Sequence, residues 1–150
     1  MSKAVIQSGQ FLCQTVPARA ANRIKWLGTN VPKDLPGIDR LLDRYDSFIS
    51  CPFPGYAHGQ LAEMDVEKST ALGIWLENGL QSLDQDISHL SEQIRTRQDR
   101  PAFLELLMSS TYLHMITLRL LASQHNGFVK SLAQPVRTVA SPKLCLHISR

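Results

Sequence analysis

Apolar residues recur at helical spacing in three stretches of the chain. The first runs from Ile38 to Ile49, where apolar side chains are three or four positions apart, and Pro36 suits the opening turn of a helix. The pattern predicts a short amphipathic helix that ends near Ser50, because the next segment, CPFPGYAHG at 51–59, contains prolines that cannot continue it. This aromatic loop is either a connector whose rings lie under the helices or a partner-binding loop.

The second stretch predicts a long helix from about Asp65 to Arg97 with a heptad seam. The seam residues are spaced by 4, 3, 4, 3 and 4 positions and are Leu76, Leu80, Leu83, Ile87, Leu90 and Ile94. This spacing is typical of helices that pack side by side. Gly73 and Gly79 either allow close approach of a neighbour or weaken the first half of the helix. Because the apolar stripe is narrow, we expect it to pack against a partner helix.

The third stretch begins after a break at Thr96–Pro101 and predicts a helix from Ala102 to about Leu132. Of the 21 residues from Ala102 to Ala122, 14 are apolar, and the residues that carry or can carry charge do not gather on one face. Because the turn at 97–101 is short, we expect this helix and the heptad helix to form an antiparallel hairpin.

A helix that is apolar nearly all round has more apolar surface than one antiparallel partner can cover. We therefore expect it to bind another protein, and the candidate protein-binding residues are Phe103, Leu107, Leu113, Ile116, Leu120 and Phe128. Burial at a membrane surface is the alternative. The dispersed polar residues disfavour it, so membrane contact is expected only indirectly.

The two ends of the chain show no sustained periodicity. Gly9, Pro17, Gly28 and Pro32 interrupt any long helix near the N-terminus, and prolines recur after Gln134. The sequence therefore predicts a flexible N-terminal segment at 1–33, a helical module at 34–134 and a flexible basic tail at 135–150. The predicted class is all-α: a long helical hairpin preceded by a short amphipathic helix, with flexible N- and C-terminal tails.

Charge is distributed along the chain in three blocks. Residues 1–33 hold five bases and no acid, residues 34–105 hold 13 acids and six bases, and residues 106–150 hold five bases and no acid. The bases are dispersed without interleaved aromatic residues, so nucleic-acid binding is not expected. Such asymmetry suits subunits that stack head to tail, or a tail that docks on an acidic partner. The acid-free N-terminus suits either a bacterial export signal or an organellar presequence, because composition does not separate the two.

The sequence carries no motif for catalysis or for a cofactor. The three cysteines are far apart, which indicates reduced thiols in a cytosolic protein, and no apolar run is long enough to cross a membrane. His89 and Glu92 have the spacing of one metal-binding pair, but no second pair accompanies them. Cys51 and His58 lack an orienting acid. We therefore expect a protein that is not an enzyme and that binds neither cofactor nor metal ion.

The segment ALGIWLENGLQSLDQDISHLSEQI at 71–94, followed by a helix that a proline opens, resembles the inner-rod proteins of bacterial type III secretion systems. The segment DRLLDRYDSFIS at 39–50 is similar to the short helix that often precedes the rod region. The resemblance covers about 34–134. It implies a subunit that leaves the bacterial cytoplasm through the secretion apparatus and then polymerises between export gate and needle. This chain departs from the pattern in its longer N-terminus and in the 16 residues that follow Gln134.

Two other functions fit the same features. One is a cytosolic chaperone or adaptor that caps a partner helix, and the other is a small helical subunit of an organellar complex. Open assembly predicts oligomers that grow with concentration, because a head-to-tail contact need not close. A capping protein predicts a fixed stoichiometry with one partner, whereas an organellar subunit would lose about its first 20–30 residues on import.

Overall fold

The computed structural model describes residues 2–50, 64–99 and 101–133, and within these residues it is all-α without any strand. The helices are α1 Ser2–Asn30, α2 Ile38–Ile49, α3 Val66–Arg95 and α4 Ala102–Ala133. The predicted class is confirmed, and the predicted short helix, heptad helix and final helix correspond to α2, α3 and α4. The aromatic loop at 51–59 and the tail predicted at 135–150 lie outside the described residues.

Helices α3 and α4 form the predicted antiparallel hairpin. Near its open end Asn126 Nδ2 donates to Glu77 Oε1 at 2.6 Å, and in the middle Arg119 lies 3.6 Å from the carboxylate of Asp84. Helix α3 begins at Val66 because the Asp65 carboxylate accepts a hydrogen bond from the backbone N–H three residues later. The seam residues are all buried: Leu76, Leu80, Leu83, Ile87, Leu90 and Ile94.

Helix α2 packs antiparallel against α3 at close range. Gly37 precedes it with a φ of 91°, a left-handed conformation that glycine adopts without strain. At the other end of α2, the ring of Phe48 lies over Gly79, where a Cβ would come within 2.6 Å of the ring. Glycine at this position therefore serves close approach and not a break in the helix.

The prediction that residues 1–33 are flexible is wrong, because Ser2–Asn30 is one helix that packs against α2, α3 and α4. Its buried positions recur mostly at three or four residues and are Val5, Gly9, Leu12, Cys13, Val16, Ala20, Arg23 and Leu27. Gly9 and Arg23 break the apolar pattern of this stripe in the sequence. Pro17 has no backbone N–H to donate to a hydrogen bond within the helix. Burial against three neighbouring helices outweighs these local preferences.

The four helices bury a common core. Helix α1 runs antiparallel to α4, since Arg23 contacts Ser110 and Ser8 contacts His125. The short α2 closes the other side of α1 and brings Tyr45 to His114 on α4, with ring centroids 5.4 Å apart. None of the helices in the described ranges is both long enough and apolar enough to cross a membrane.

Candidate protein interface on helix α4

Helix α4 has two apolar sides. The inner side is buried and consists of Leu104, Leu107, Thr111, Met115, Leu118, Ala122 and His125. The opposite side carries large apolar residues with these exposed fractions: Phe103 38%, Leu106 61%, Tyr112 38%, Leu113 66%, Ile116 50% and Leu120 66%. In the described part of the chain only two other large apolar side chains are exposed, Phe11 and Ile74. The exposed apolar surface is therefore concentrated on one helix.

The structure separates the six predicted protein-binding residues by their burial. Phe103, Leu113, Ile116 and Leu120 lie on the exposed side of α4, whereas Phe128 is partly buried. The choice of Leu107 is wrong, because its side chain is fully buried in the core. One residue along a helix turns the side chain by about 100°, which moves Leu107 from the exposed side to the inner side.

The prediction omitted Leu106 and the small residues that make the exposed side regular. Leu106, Leu113 and Leu120 are seven positions apart, and this spacing was visible in the sequence. We define the outer seam as Ala102, Leu106, Ser109, Leu113, Ile116, Leu120, Ser123 and Gly127. These positions alternate four and three residues apart, and all eight are exposed. The outer seam has the a and d spacing of a helix that packs against another helix.

Two hollows lie beside the outer seam, in the groove between α3 and α4. The first has a volume of about 360 Å³ and includes Glu105, Met108, Ser109 and Tyr112 of α4. The second has a volume of about 520 Å³ and includes Arg119, Ala122, Ser123 and Asn126 of α4. Each hollow contains one of the two serines of the outer seam.

Buried polar residues on the inner side hold α1 against α4. Arg23 donates to the hydroxyl oxygens of Ser110 at 2.9 Å and Thr111 at 2.7 Å, and its guanidinium lies 4.4 Å from the centre of the Trp26 ring. Burial lowers the pKa of Arg23, although a guanidinium remains protonated in proteins. Arg23 therefore keeps a positive charge inside the body of the molecule.

His114 lies beside this charge and is neutral at pH 7. Burial, followed by the charges of Arg23 and Arg19, lowers the pKa of His114 to about 4. Burial also raises the pKa of Tyr45, whose hydroxyl is near Arg23 but makes no hydrogen bond of good geometry. Within the described residues, neither ring nitrogen of His114 makes a hydrogen bond of good geometry. The ring packs edge-on against the ring of Tyr45.

His125 links three helices through both of its ring nitrogens. Nε2 lies 2.8 Å from the carbonyl oxygen of Ser69, which can only accept, so Nε2 carries the proton. Nδ1 then accepts from the hydroxyl of Ser8 at 2.7 Å. Burial lowers the pKa of His125 and favours this neutral tautomer. Gly73 makes room for the ring, because a Cβ there would come within 2.9 Å of it.

Asp86 is the buried acid of the core. Its side chain is fully buried, and its two oxygens accept from Nε of Arg40 at 2.6 Å and Nε of Arg44 at 2.7 Å. The arginines approach from α2 and the carboxylate comes from α3, so the group joins the two helices. Both carboxylate oxygens are occupied by guanidinium groups, which indicates a structural role.

The candidate metal-binding pair lies on the exposed surface of α3. His89 and Glu92 are exposed, and Glu92 forms an ion pair with Arg95. Among residues 2–50, 64–99 and 101–133, no cluster of three or more His, Cys, Asp or Glu side chains could hold a metal ion. Cys51 and His58 lie outside these ranges. Helix α4 therefore remains the candidate site.

No family model matches this chain, and neither the curated proteins nor the solved structures contain a significant match to it.

Proposed function

We propose that this chain is a non-enzymatic helical assembly subunit that binds other protein chains through the outer seam of α4. The observation that carries the proposal is that six large apolar side chains are exposed on one helix, α4. Withholding one leucine side chain from water contributes about 1.5–3 kcal/mol, so a partner that covers several of them gains substantially. The heptad spacing of the outer seam favours a helix as that partner.

The resemblance to type III secretion inner-rod proteins supplies a specific setting for this assembly role. In that setting the chain is exported from the bacterial cytoplasm and polymerises between export gate and needle. The export signal expected within residues 1–33 belongs to a helix that packs against α2, α3 and α4. We therefore propose that export requires release of α1 from the core, and that α4 forms its assembly contacts afterwards.

Site-specific photo-cross-linking in the native cell tests the assembly role. A photoreactive amino acid at Leu113 should give adducts with protein partners, because this residue is 66% exposed at the centre of the outer seam. The matched control is Ile74, which is 58% exposed but lies on α3 outside the outer seam. Adducts at Leu113 and none at Ile74 support the proposal. Absence of adducts at Leu106, Leu113 and Leu120 alike would exclude this face as an interface.

The size of the adducts separates assembly from capping. A ladder of masses indicates growth by repeated contacts, whereas a single adduct of fixed mass with a different protein indicates a chaperone or adaptor with one partner. Replacing Leu113 and Leu120 with Ser should remove the association and leave the helix content unchanged, because both side chains are exposed in the isolated chain. Circular dichroism and sedimentation velocity on the same sample measure both properties.

A further inference from the structure

Building on the function proposed above, we propose that the outer seam binds a second copy of the same chain, forming an antiparallel, two-fold symmetric pair of α4 helices. When one copy of the outer seam is reversed, the large residues away from the centre of each copy come opposite small residues of the other. The centre of the outer seam lies between Leu113 and Ile116.

Reversal about this centre brings large residues opposite small ones. Leu106 comes opposite the partner's Ser123, and Leu120 comes opposite the partner's Ser109. In the middle, Leu113 meets the partner's Ile116. A parallel pair would place leucine on leucine and serine on serine, leaving voids at the serine layers, whereas helix interfaces pack densely. The size pattern therefore favours the antiparallel orientation.

The two hollows lie beside the two serines that come opposite leucines in this arrangement. On α4 the first hollow is lined by Leu104, Glu105, Met108, Ser109 and Tyr112, and the second by Arg119, Ala122, Ser123, Asn126, Gly127 and Lys130. Each hollow therefore borders one serine of the outer seam, Ser109 or Ser123, and leaves room beside it for a large side chain from a facing helix.

The spacing between the two hollows along α4 equals the spacing between Leu106 and Leu120. The second hollow follows the first by 14 residues, and Leu120 follows Leu106 by the same 14 residues. In the reversed pair, the first hollow receives the partner's Leu120 and the second receives the partner's Leu106. A register shifted by one heptad in either direction fills fewer hollows, so the pairing about the centre is favoured.

The flanking residues allow this pairing without a clash of like charges. Glu105 comes near the partner's Asn126, and Arg119 comes near the partner's Tyr112. The first pair suits a hydrogen bond, and the second suits a contact between a cation and an aromatic ring. Neither flank brings two acids or two bases together.

The exposed apolar area matches a modest dimer interface. The large side chains of the exposed side offer on the order of 600 Å² in each copy, hence about 1,200 Å² in a pair, which is the lower end of the range for specific interfaces. Fit therefore matters more than area for the affinity of this pair.

A pair of single-cysteine chains tests both orientation and register. In a chain whose native cysteines, Cys13, Cys51 and Cys145, are replaced by Ala, one variant carries Ala102→Cys and the other Gly127→Cys. A Cβ at Gly127 meets no atom within 4 Å, so the second change is sterically free. The reversed pair places position 102 opposite the partner's position 127. Mixing the variants should give a mixed disulfide.

Each variant alone should give almost no disulfide, because identical positions are then about 35–40 Å apart along the helix pair. Disulfides within either single variant would indicate a parallel pair and overturn the inference. Sedimentation equilibrium of the wild-type chain should give twice its 16.8 kDa mass. A strict monomer, or a mass that grows beyond the dimer with concentration, would also overturn the dimer. Continued photo-adducts at Leu113 with other proteins would leave the assembly role standing.

A size exchange tests the register independently. Ser109→Leu should weaken the dimer roughly tenfold or more. The new leucine then faces the partner's Leu120 in a layer that has room for one large side chain. Adding Leu120→Ser to the same chain restores one large and one small residue in that layer and should recover most of the affinity. Tighter association of Ser109→Leu alone would contradict the register. Both positions are exposed in the monomer, so unchanged circular dichroism controls for folding.

Discussion

Single buried polar residues determine how the helices of this protein fit together. Arg23, Asp86 and His125 each join two or more helices through bonds between 2.6 and 2.9 Å. Such groups add specificity to an apolar core, because a misplaced helix would leave a buried polar atom without a partner. Their contribution is therefore best measured by removing partners one at a time.

The Asp86 group should respond cooperatively to loss of its arginines. Arg40→Ala or Arg44→Ala alone should cost about 1 kcal/mol, because the other guanidinium still pairs with the carboxylate. The double variant should cost about 3–5 kcal/mol, since it leaves a fully buried charge unpaired. Urea unfolding of the four chains in a double-mutant cycle measures the coupling. Additive losses would mean that Asp86 does not depend on the arginines for compensation.

His114 should make the fold weaker in acid. Its folded pKa of about 4 lies below its ordinary value of 6.5, so below pH 6.5 the unfolded chain takes up a proton that the folded chain does not. Stability should therefore fall by about 1–3 kcal/mol as the pH drops from 6.5 to 4, and this contribution stays constant below pH 4. Urea unfolding at several pH values measures the slope.

The variant His114→Phe isolates this contribution, because it keeps a ring against Tyr45 and removes the titrating group. His125 is also buried with a lowered pKa and remains in both chains, so its effect cancels in the comparison. The variant should lose less stability in acid than the wild type. Equal slopes in the two proteins would show that His114 is protonated as easily in the fold as outside it.

At the scale of elements, the three periodic stretches predicted three helices to within a few residues of their ends. Asp65 and the prolines at 36 and 101 act locally, so their effect can be predicted without knowing the neighbours. Helix α1 could not be predicted in this way. Its stripe contains Gly9, which packs on Ser69, and Arg23, which binds hydroxyls on α4, and these partners are distant in sequence.

The sequence predicted that α4 is a helix with excess apolar surface. It did not predict which of its residues are exposed. Apolar residues occur on every side of the first two thirds of this helix, so the pattern does not say which side meets the core. The structure assigns Leu107 to the core and Leu106 to the outer seam because α1 and α3 cover one side only. The small residues Ser109 and Ser123 can be assigned to the outer seam only once their exposure is known.

The packing of α1 predicts different effects at two neighbouring positions. Leu12 is 2% exposed and belongs to the core, whereas Phe11 is 52% exposed. Leu12→Asp should lower the free energy of unfolding by at least about 3 kcal/mol, because it buries an unpaired charge. Phe11→Asp should change it by less than about 1 kcal/mol. Thermal unfolding followed by circular dichroism compares them. Equal, small effects would mean that α1 is dispensable to the fold.

At the scale of the whole molecule, the charge blocks of the sequence find an explanation within the chain. The basic helix α1 packs against α2 and α3, which hold eight of the 13 acids. Opposite charges on packed helices attract over distances within the screening length of salt. The basic helix and its acidic neighbours therefore lie side by side within one molecule. The interface proposed on α4 depends mainly on apolar contact.

An interface of this kind should make thermal stability depend on protein concentration. A partner that binds only the folded chain raises its apparent stability by mass action, so the Tm of the wild type should rise by a few degrees over a hundredfold increase in concentration. Leu113→Asp should abolish this rise while leaving the Tm at low concentration nearly unchanged, because the side chain is exposed in the monomer. Ile74→Asp provides the matched control and should keep the wild-type rise. A wild-type Tm that does not vary with concentration would contradict self-association through α4, and a rise retained in Leu113→Asp would place the contact on another surface.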